Sequence, residues 1–256
     1  MEPLIEFEKV AKTFSKGRVR AVEQIDLAVD RGEFVTLVGP SGCGKSTLLN
    51  MTAGLFEPTA GEVRYGGRPV PRYNKKTGYM TQNDHLLPWR DVAGNIAVPL
   101  EIAGRSKGDM RDRVQALIAM VGLTGFEKSF PSQLSGGMRK RTALARLLAY
   151  DPETLLLDEP FAALDAQLRL RMQIELLAIC RRLGKTVLFV THDLDEAVAL
   201  ADRVIVFGGR PGRIVRVVES PLSRDRDLMK IRHDPQYGEV TTELWDLLAP
   251  AVEEVR

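Results

Sequence analysis

An apolar run, Phe34-Val35-Thr36-Leu37-Val38, leads directly into Gly39-Pro40-Ser41-Gly42-Cys43-Gly44-Lys45-Ser46, and Lys45 to Ala53 then reads as a helix ended near Gly54. The run is continuous rather than alternating, as in a strand covered on both faces. The octet fits G-x-x-x-x-G-K-[ST] in full, in the strand-to-helix context that the spacing requires. Its glycines let successive amides curl around a polyphosphate with no Cβ in the way, and the helix N-terminus adds positive potential. Lys45 is placed to reach the β- and γ-phosphates, and the Ser46 hydroxyl to complete a Mg²⁺ shell. Cys43 reads as an inert filler of the loop. A glycine-rich turn matching by chance would have to explain strand, helix, lysine and serine together.

A polyphosphate loop needs an acid to hold its metal, and Leu155-Leu156-Leu157-Asp158-Glu159 supplies one. An apolar strand ending in two carboxylates puts them where ligands sit in open α/β sheets. Asp158 would hold Mg²⁺ through water, and Glu159 would orient or deprotonate a water aimed at the γ-phosphate. The plain alternative is a solvated acidic turn before Pro160.

The rest of the chain alternates in the same way. Ile5 and Phe7 interleave with Glu6 and Glu8, and Ile25, Leu27 and Val29 with Asp26, Ala28 and Asp30, the period of half-buried antiparallel strands. Glu62–Tyr65 and Gly78–Met80 read as further strands. Between Val92 and Ala149 the pattern turns helical, with Val114, Leu117, Ile118 and Val121 on one stripe. Strand and helix then alternate again: Leu155–Leu157, Ala166–Leu183, Thr186–Val190, Leu194–Ala201 and Val204–Phe207. The expectation is an α/β core with mostly parallel central strands and a helical insertion. The end of the chain, with Pro221, Pro235 and scattered charges, reads as a peripheral tail.

Composition narrows the function classes. The 256 residues carry 36 basic and 34 acidic side chains, a balance that excludes neither nucleic acid nor a membrane surface but gives no sign of a polybasic face. Two cysteines, Cys43 and Cys180, build no disulfide scaffold and suit a reducing cytosol. The start lacks the basic and apolar regions of a signal peptide. No apolar stretch approaches the ~20 residues of a spanning helix, so any membrane role runs through a partner.

Leu134-Ser135-Gly136-Gly137-Met138, ahead of the basic Arg139-Lys140-Arg141, resembles the signature loop of the ATP-binding cassette (ABC) family. Serine and two glycines at a helix start offer a hydroxyl and bare amides to phosphate oxygens. The resemblance runs over nearly the whole chain. It implies a P-loop NTPase core with a mostly parallel central sheet, an N-terminal antiparallel β subdomain and an inserted helical subdomain at about 90–150. The ATPase domain would span 1–230, and 231–256 would be a C-terminal tail. It further implies ATP and Mg²⁺ as cofactors. ATP would be held by Phe14, stacking on adenine, by Gly39, Pro40, Ser41, Gly42, Cys43, Gly44, Lys45, Ser46 and Thr47, and by Ser135, Gly136 and Gly137. Ser46, Gln82 and Asp158 would hold the metal. Glu159, Gln82 and His192 would be catalytic, His192 contacting the γ-phosphate, and Ala163-Leu164-Asp165 would cross a dimer interface. Plain core or structural roles for Phe14 and His192 stand beside these. Met138 replaces a frequent Gln and Ala162 a frequent Ser, which bears on the dimer contacts.

In the family each ATP lies between the P-loop of one copy and the signature of another, implying a head-to-tail dimer. Leu86-Leu87-Pro88-Trp89-Arg90 and Arg210-Pro211-Gly212-Arg213-Ile214 resemble the importer subgroup for nitrate, sulfonates and taurine. That implies transmembrane permease subunits, a periplasmic solute-binding protein reached indirectly, and a peripheral position on the cytoplasmic face of the inner membrane. Leu86–Trp89 would meet the permease, or else pack beneath the insertion. A soluble ABC-type ATPase of DNA repair or another non-transport process is the alternative reading, although the sequence has no sustained heptads for the coiled coil of the DNA-repair proteins.

Overall fold

Every residue of β3 (Phe34–Val38) is buried at the middle of a six-stranded sheet. The computed structural model describes residues 3–14, 17–162 and 164–253. Strand order is β10-β9-β3-β8-β7-β6, where β6 is Thr77–Met80, β7 Thr154–Asp158, β8 Thr186–Val190, β9 Arg203–Gly208 and β10 Arg213–Glu219. The strands from β9 to β6 run parallel, and β10 pairs antiparallel at the edge. Leu155, Leu156 and Leu157 of β7 are fully buried, which contributes about 1.5–3 kcal/mol per side chain.

A second, antiparallel sheet has the order β2-β1-β4-β5 and is formed by β1 (Ile5–Phe14), β2 (Val19–Val29), β4 (Ala60–Tyr65) and β5 (Arg68–Pro69). The alternation along β1 and β2 buries Ile5, Phe7, Ile25, Leu27 and Val29, as the pattern requires. These side chains share one core with Leu48 and Leu49 of α1 (Lys45–Thr52) and with Leu37, Leu156 and Leu188 of the central sheet.

Between β6 and β7 the chain leaves the sheet and makes α2 (Val92–Ile102), α3 (Lys107–Met120) and α4 (Gly136–Tyr150). Asp91, Ser106 and Ser135 cap these helices by accepting the amide hydrogens of Gly94, Asp109 and Met138. The α3 stripe Val114, Leu117, Ile118 and Val121 is buried in a core shared with α5 (Ala166–Arg182) and α6 (Leu194–Leu200). Although the insertion separates them in sequence, β6 and β7 are neighbours, with Thr77 opposite Thr154.

The segment expected as a peripheral tail holds a long helix, α7 (Pro235–Glu253). Tyr237, Val240 and Leu244 recur at helical spacing and are buried against the main core, and the Tyr237 hydroxyl donates to Asp195 Oδ1 at 2.5 Å. Two prolines and many charges obscured that stripe. Among the described residues no helix is long and apolar enough to cross a membrane.

Candidate functional site

The phosphate loop owes its shape to close packing at two glycines. A Cβ on Gly39 would lie 2.4 Å from the Phe207 carbonyl oxygen, and one on Gly44 would lie 2.2 Å from Val22 Cγ1. Both positions have positive φ, 148° and 95°, which glycine adopts most readily. Ser41 and Gly42 are exposed at the rim, with Pro40 half-buried beside them. Cys43 is fully buried in the core beneath, as an inert filler should be. Lys45 is buried, and its Nζ donates to the carbonyls of Gly39 at 2.7 Å and Pro40 at 2.8 Å. Ser46 and Thr47 are half-buried on the first turn of α1.

Parallel register carries the other groups to the same edge. β7 ends in Asp158, paired with Val190 of β8, and the Glu159 amide donates to the Val190 carbonyl at 3.0 Å. Glu159 has φ +48°, an unusual conformation for a side-chain-bearing residue of the kind that clusters at functional sites. Gln82 follows β6 and His192 follows β8. Gln82 Nε2 donates to Glu159 Oε2 at 3.3 Å, and His192 Nδ1 lies 3.4 Å from Glu159 Oε1. One carboxylate thus meets both side chains. His192 is otherwise open to solvent, so it is not a satisfied core histidine.

Asp158 is almost wholly buried. Burial pushes its carboxyl above the ordinary range, opposed by a hydrogen bond from Ser46 and by the charge of Lys45. A desolvated carboxylate beside a hydroxyl is a hard-oxygen pair, which suits Mg²⁺.

Ser135 caps α4, so its hydroxyl already accepts the Met138 amide at 3.3 Å. Among the described residues no hydrogen bond or ion pair joins Ser135, Gly136 or Gly137 to residues 39–47. Helix α4 reaches the Gln82 loop instead. Lys140, buried, donates to the Gln82 carbonyl, and Arg139 Nε pairs with Asp84 Oδ2 at 3.1 Å. Burial lowers the Lys140 pKa, countered by the charges of Asp84, Asp158 and Glu159. Sequence reasoning noted only a basic helix there.

Phe14 is half-buried at the end of β1, edge-on to Phe56 with ring centroids 5.4 Å apart, outside the fully buried core. Of the stretch Ala163-Leu164-Asp165, Ala163 lies outside the described residues, Leu164 is buried, and Asp165 caps α5 by accepting the Leu168 amide at 3.0 Å. The Arg210–Ile214 stretch, marked in the sequence only by its resemblance, lies against the phosphate loop. Arg210 Nη2 donates to the Ser41 carbonyl at 2.8 Å, and a Cβ on Gly212 would come within 1.7 Å of the Cys43 carbonyl oxygen.

Past Gln82, Leu86 packs partly on the core while Trp89 is 71% exposed, which removes the packing account for that ring. A groove of about 310 Å³ opens between the sheet edge and the insertion, lined by Tyr79, Asp84, Pro99, Ile102 and Arg146.

Comparison with known proteins agrees with this architecture. A family model described as ABC transporter matches residues 22–162. An uncharacterized ABC transporter ATP-binding protein of Methanocaldococcus jannaschii is 48% identical over 90% of this chain and 87% of its own. An aliphatic sulfonates import ATP-binding protein of Bacillus thuringiensis is 44% identical, covering 87% and 88% of the two chains. A nitrate import ATP-binding protein of Synechococcus elongatus is 42% identical, covering 95% and 91%. The solved dimeric structure of an ATP-binding cassette in a post-hydrolysis state, bound to ADP and Pi, superposes with TM-score 0.78 at 32% identity, over 86% of this chain and all of that one. Fold, phosphate loop and sequence kinship therefore converge, and the chain belongs to the ABC transporter family as one of its ATP-binding, ATP-hydrolysing subunits.

Proposed function

We propose that this subunit powers an importer for nitrate, a sulfonate such as taurine, or a related small anion, and that Glu159 is the base of its hydrolytic step. The observation that carries the catalytic reading is the shared carboxylate: Gln82 from β6 and His192 from β8 reach its two oxygens. With ATP on residues 39–47, a water beside Glu159 gives up its proton to the carboxylate and attacks the γ-phosphorus. The bond from that phosphorus to the β–γ bridging oxygen breaks, and ADP leaves with the electron pair. Gln82 orients the water and His192 steadies the γ-phosphate. Mg²⁺, held by Ser46, Asp158 and Gln82, would neutralise charge on the phosphates. Phe14 supplies an aromatic face for adenine.

Ser135, Gly136 and Gly137 present a helix start with no bond to their own P-loop, which supports their acting on the nucleotide of a second, head-to-tail copy. The exposed Trp89 supports a permease docking there, which would hold the subunit peripherally at the cytoplasmic face, with a solute-binding protein acting indirectly. The ATPase domain is proposed as 1–230 with its insertion at about 90–150, and 231–256 as a C-terminal tail, of which α7 packs on the core through Tyr237, Val240 and Leu244. No nucleic-acid partner is proposed.

The substrate class rests on the two import relatives. Uptake of labelled nitrate and of a labelled alkanesulfonate, measured in cells with and without this chain, tests it. Loss of one uptake supports nitrate or a sulfonate as the substrate, and loss of neither overturns both of those choices.

A further inference from the structure

Arg169, on the first turn of α5, has no role in the scheme above, yet its guanidinium joins two loops of the site. Nη2 donates to the Leu164 carbonyl at 3.1 Å, near the end of the loop that starts at Glu159. Nη1 donates to Asp193 Oδ2 at 3.0 Å, one residue past His192. At the sheet end the same loops are joined by the Glu159 amide on the Val190 carbonyl. The two segments, 159–164 and 190–193, therefore form a closed ring, and the His192–Glu159 contact is its crossbar.

The ring is braced from beneath. Glu196, buried in α6, accepts the Thr191 hydroxyl at 2.7 Å and Gln173 Nε2 at 3.1 Å, and the Thr191 oxygen accepts the Asp193 amide at 3.0 Å. Both chain neighbours of His192 are thus fixed while its own ring is open to solvent. Among the described residues, the Arg169 side chain joins this brace to the 159–164 loop by hydrogen bonds that do not use a backbone amide, and its Nε also lies 4.0 Å from Glu196 Oε1. A planar fork spanning a carbonyl and a carboxylate is a task lysine cannot duplicate.

We infer that Arg169 is a positioning residue for hydrolysis, which sets His192 against Glu159 by clamping the Leu164 carbonyl to the Asp193 carboxylate. The inference rests on the hydrolytic roles proposed for Glu159 and His192. Displacement of the 159–164 loop then moves His192, and the converse holds. Small displacements at a reacting centre cost about 100-fold in rate, so the effect falls on turnover rather than on nucleotide binding.

The test uses the full chain with Mg-ATP and the variants Arg169→Met, Arg169→Lys, His192→Ala and the double variant Arg169→Met/His192→Ala. The expected result is a kcat lowered about 10- to 100-fold in Arg169→Met, with nucleotide affinity within a few-fold of wild type. Arg169→Lys should recover part of the loss, because an ammonium reaches one acceptor. The double variant should be no slower than His192→Ala alone, since the arginine acts through that histidine. Losses that multiply in the double variant would overturn the inference, as would a wild-type kcat in Arg169→Met. A kcat loss matched by the loss of folded protein in a melting curve also overturns it. Failure of the underlying reading looks different: His192→Ala and Glu159→Gln would then hydrolyse ATP like wild type, whatever Arg169 does.

Discussion

His192 Nδ1 stands 3.4 Å from Glu159 Oε1, and the two residues come from adjacent parallel strands whose ends are locked by the Glu159 amide on the Val190 carbonyl. The contact follows from strand register, because Asp158 opposite Val190 sets Glu159 beside Thr191, with His192 one residue further. Gln82 completes the arrangement from β6 on the other side of β7. A carboxylate so placed has each of its two oxygens already oriented, as the role proposed for Glu159 requires.

Glu159→Gln keeps the shape and removes the base. ATP should still bind, turnover should drop by ~10²–10⁴, and a long-lived ATP-bound dimer should appear on size exclusion. Unchanged hydrolysis with only monomer in the eluate would refute the role.

Asp158→Asn separates stability from chemistry. The Asp158 carboxyl is raised by burial, so the folded protein holds that proton more tightly than the unfolded chain does. The native state is therefore penalised once pH rises above the unfolded value, and fully so above the folded one. Asparagine should raise the melting temperature more at about pH 8 than at about pH 4, while Mg-ATP turnover falls. Differential scanning calorimetry at the two pH values checks this, and equal shifts would contradict it.

Ser135→Arg and Gly137→Asp should abolish hydrolysis and leave ATP binding to the monomer nearly intact. Mixing either with Lys45→Ala should restore some activity, because a head-to-tail pair regains one site with intact P-loop and intact signature. Loss of monomer affinity, seen by nucleotide fluorescence, would mean that the signature acts on its own chain's nucleotide.

Trp89→Ala should cost under about 0.5 kcal/mol of stability, as for exposed positions generally, against ~3–5 kcal/mol for a buried Trp. Co-purification with the permease should nevertheless fail. Leu87→Asp is a poorer probe, since that side chain is half-buried. Retained pull-down at unchanged melting temperature would count against docking at Trp89.

Gly212→Ala forces a Cβ onto the Cys43 carbonyl, and Arg210→Gln removes the donor to Ser41. Overpacking of this kind costs ~1–3 kcal/mol, so nucleotide affinity should fall about 5- to 150-fold for Gly212→Ala and less for Arg210→Gln. Isothermal titration with ATP measures both.

Much of the site could be read before any coordinates because its parts are local. The phosphate loop, the Leu155–Glu159 strand end and the capped start of α4 each fit within one short segment, and each pairs a residue type with a backbone shape. What escaped notice joins distant segments through side chains that have several uses. Arg210 to Ser41, Lys140 to Gln82, and Arg169 to Asp193 connect cations that on sequence grounds look like solvated surface. The helix at 235–253 was not expected for a different reason: its buried stripe is only Tyr237, Val240 and Leu244, and Pro221, Pro235 and scattered charges around it read as a peripheral tail.

The insertion departs after β6 and returns at β7, and those two strands lie next to each other in the sheet. Its connection to the sheet is thus one side of a single strand pair, and none of the strands bearing Gly39 or His192 is interrupted by it. Such an arrangement lets α2 and α3 change length, face or sequence over generations without shifting the hydrolytic edge, whereas α4 stays tied to it through Lys140 on the Gln82 carbonyl. The exposed surface at Trp89 and Ile102, where permease docking is proposed, can then diverge while the strand ends that lead to Glu159 and His192 stay the same, so that descent of the hydrolytic edge and descent of this outer face are separable histories written in one chain.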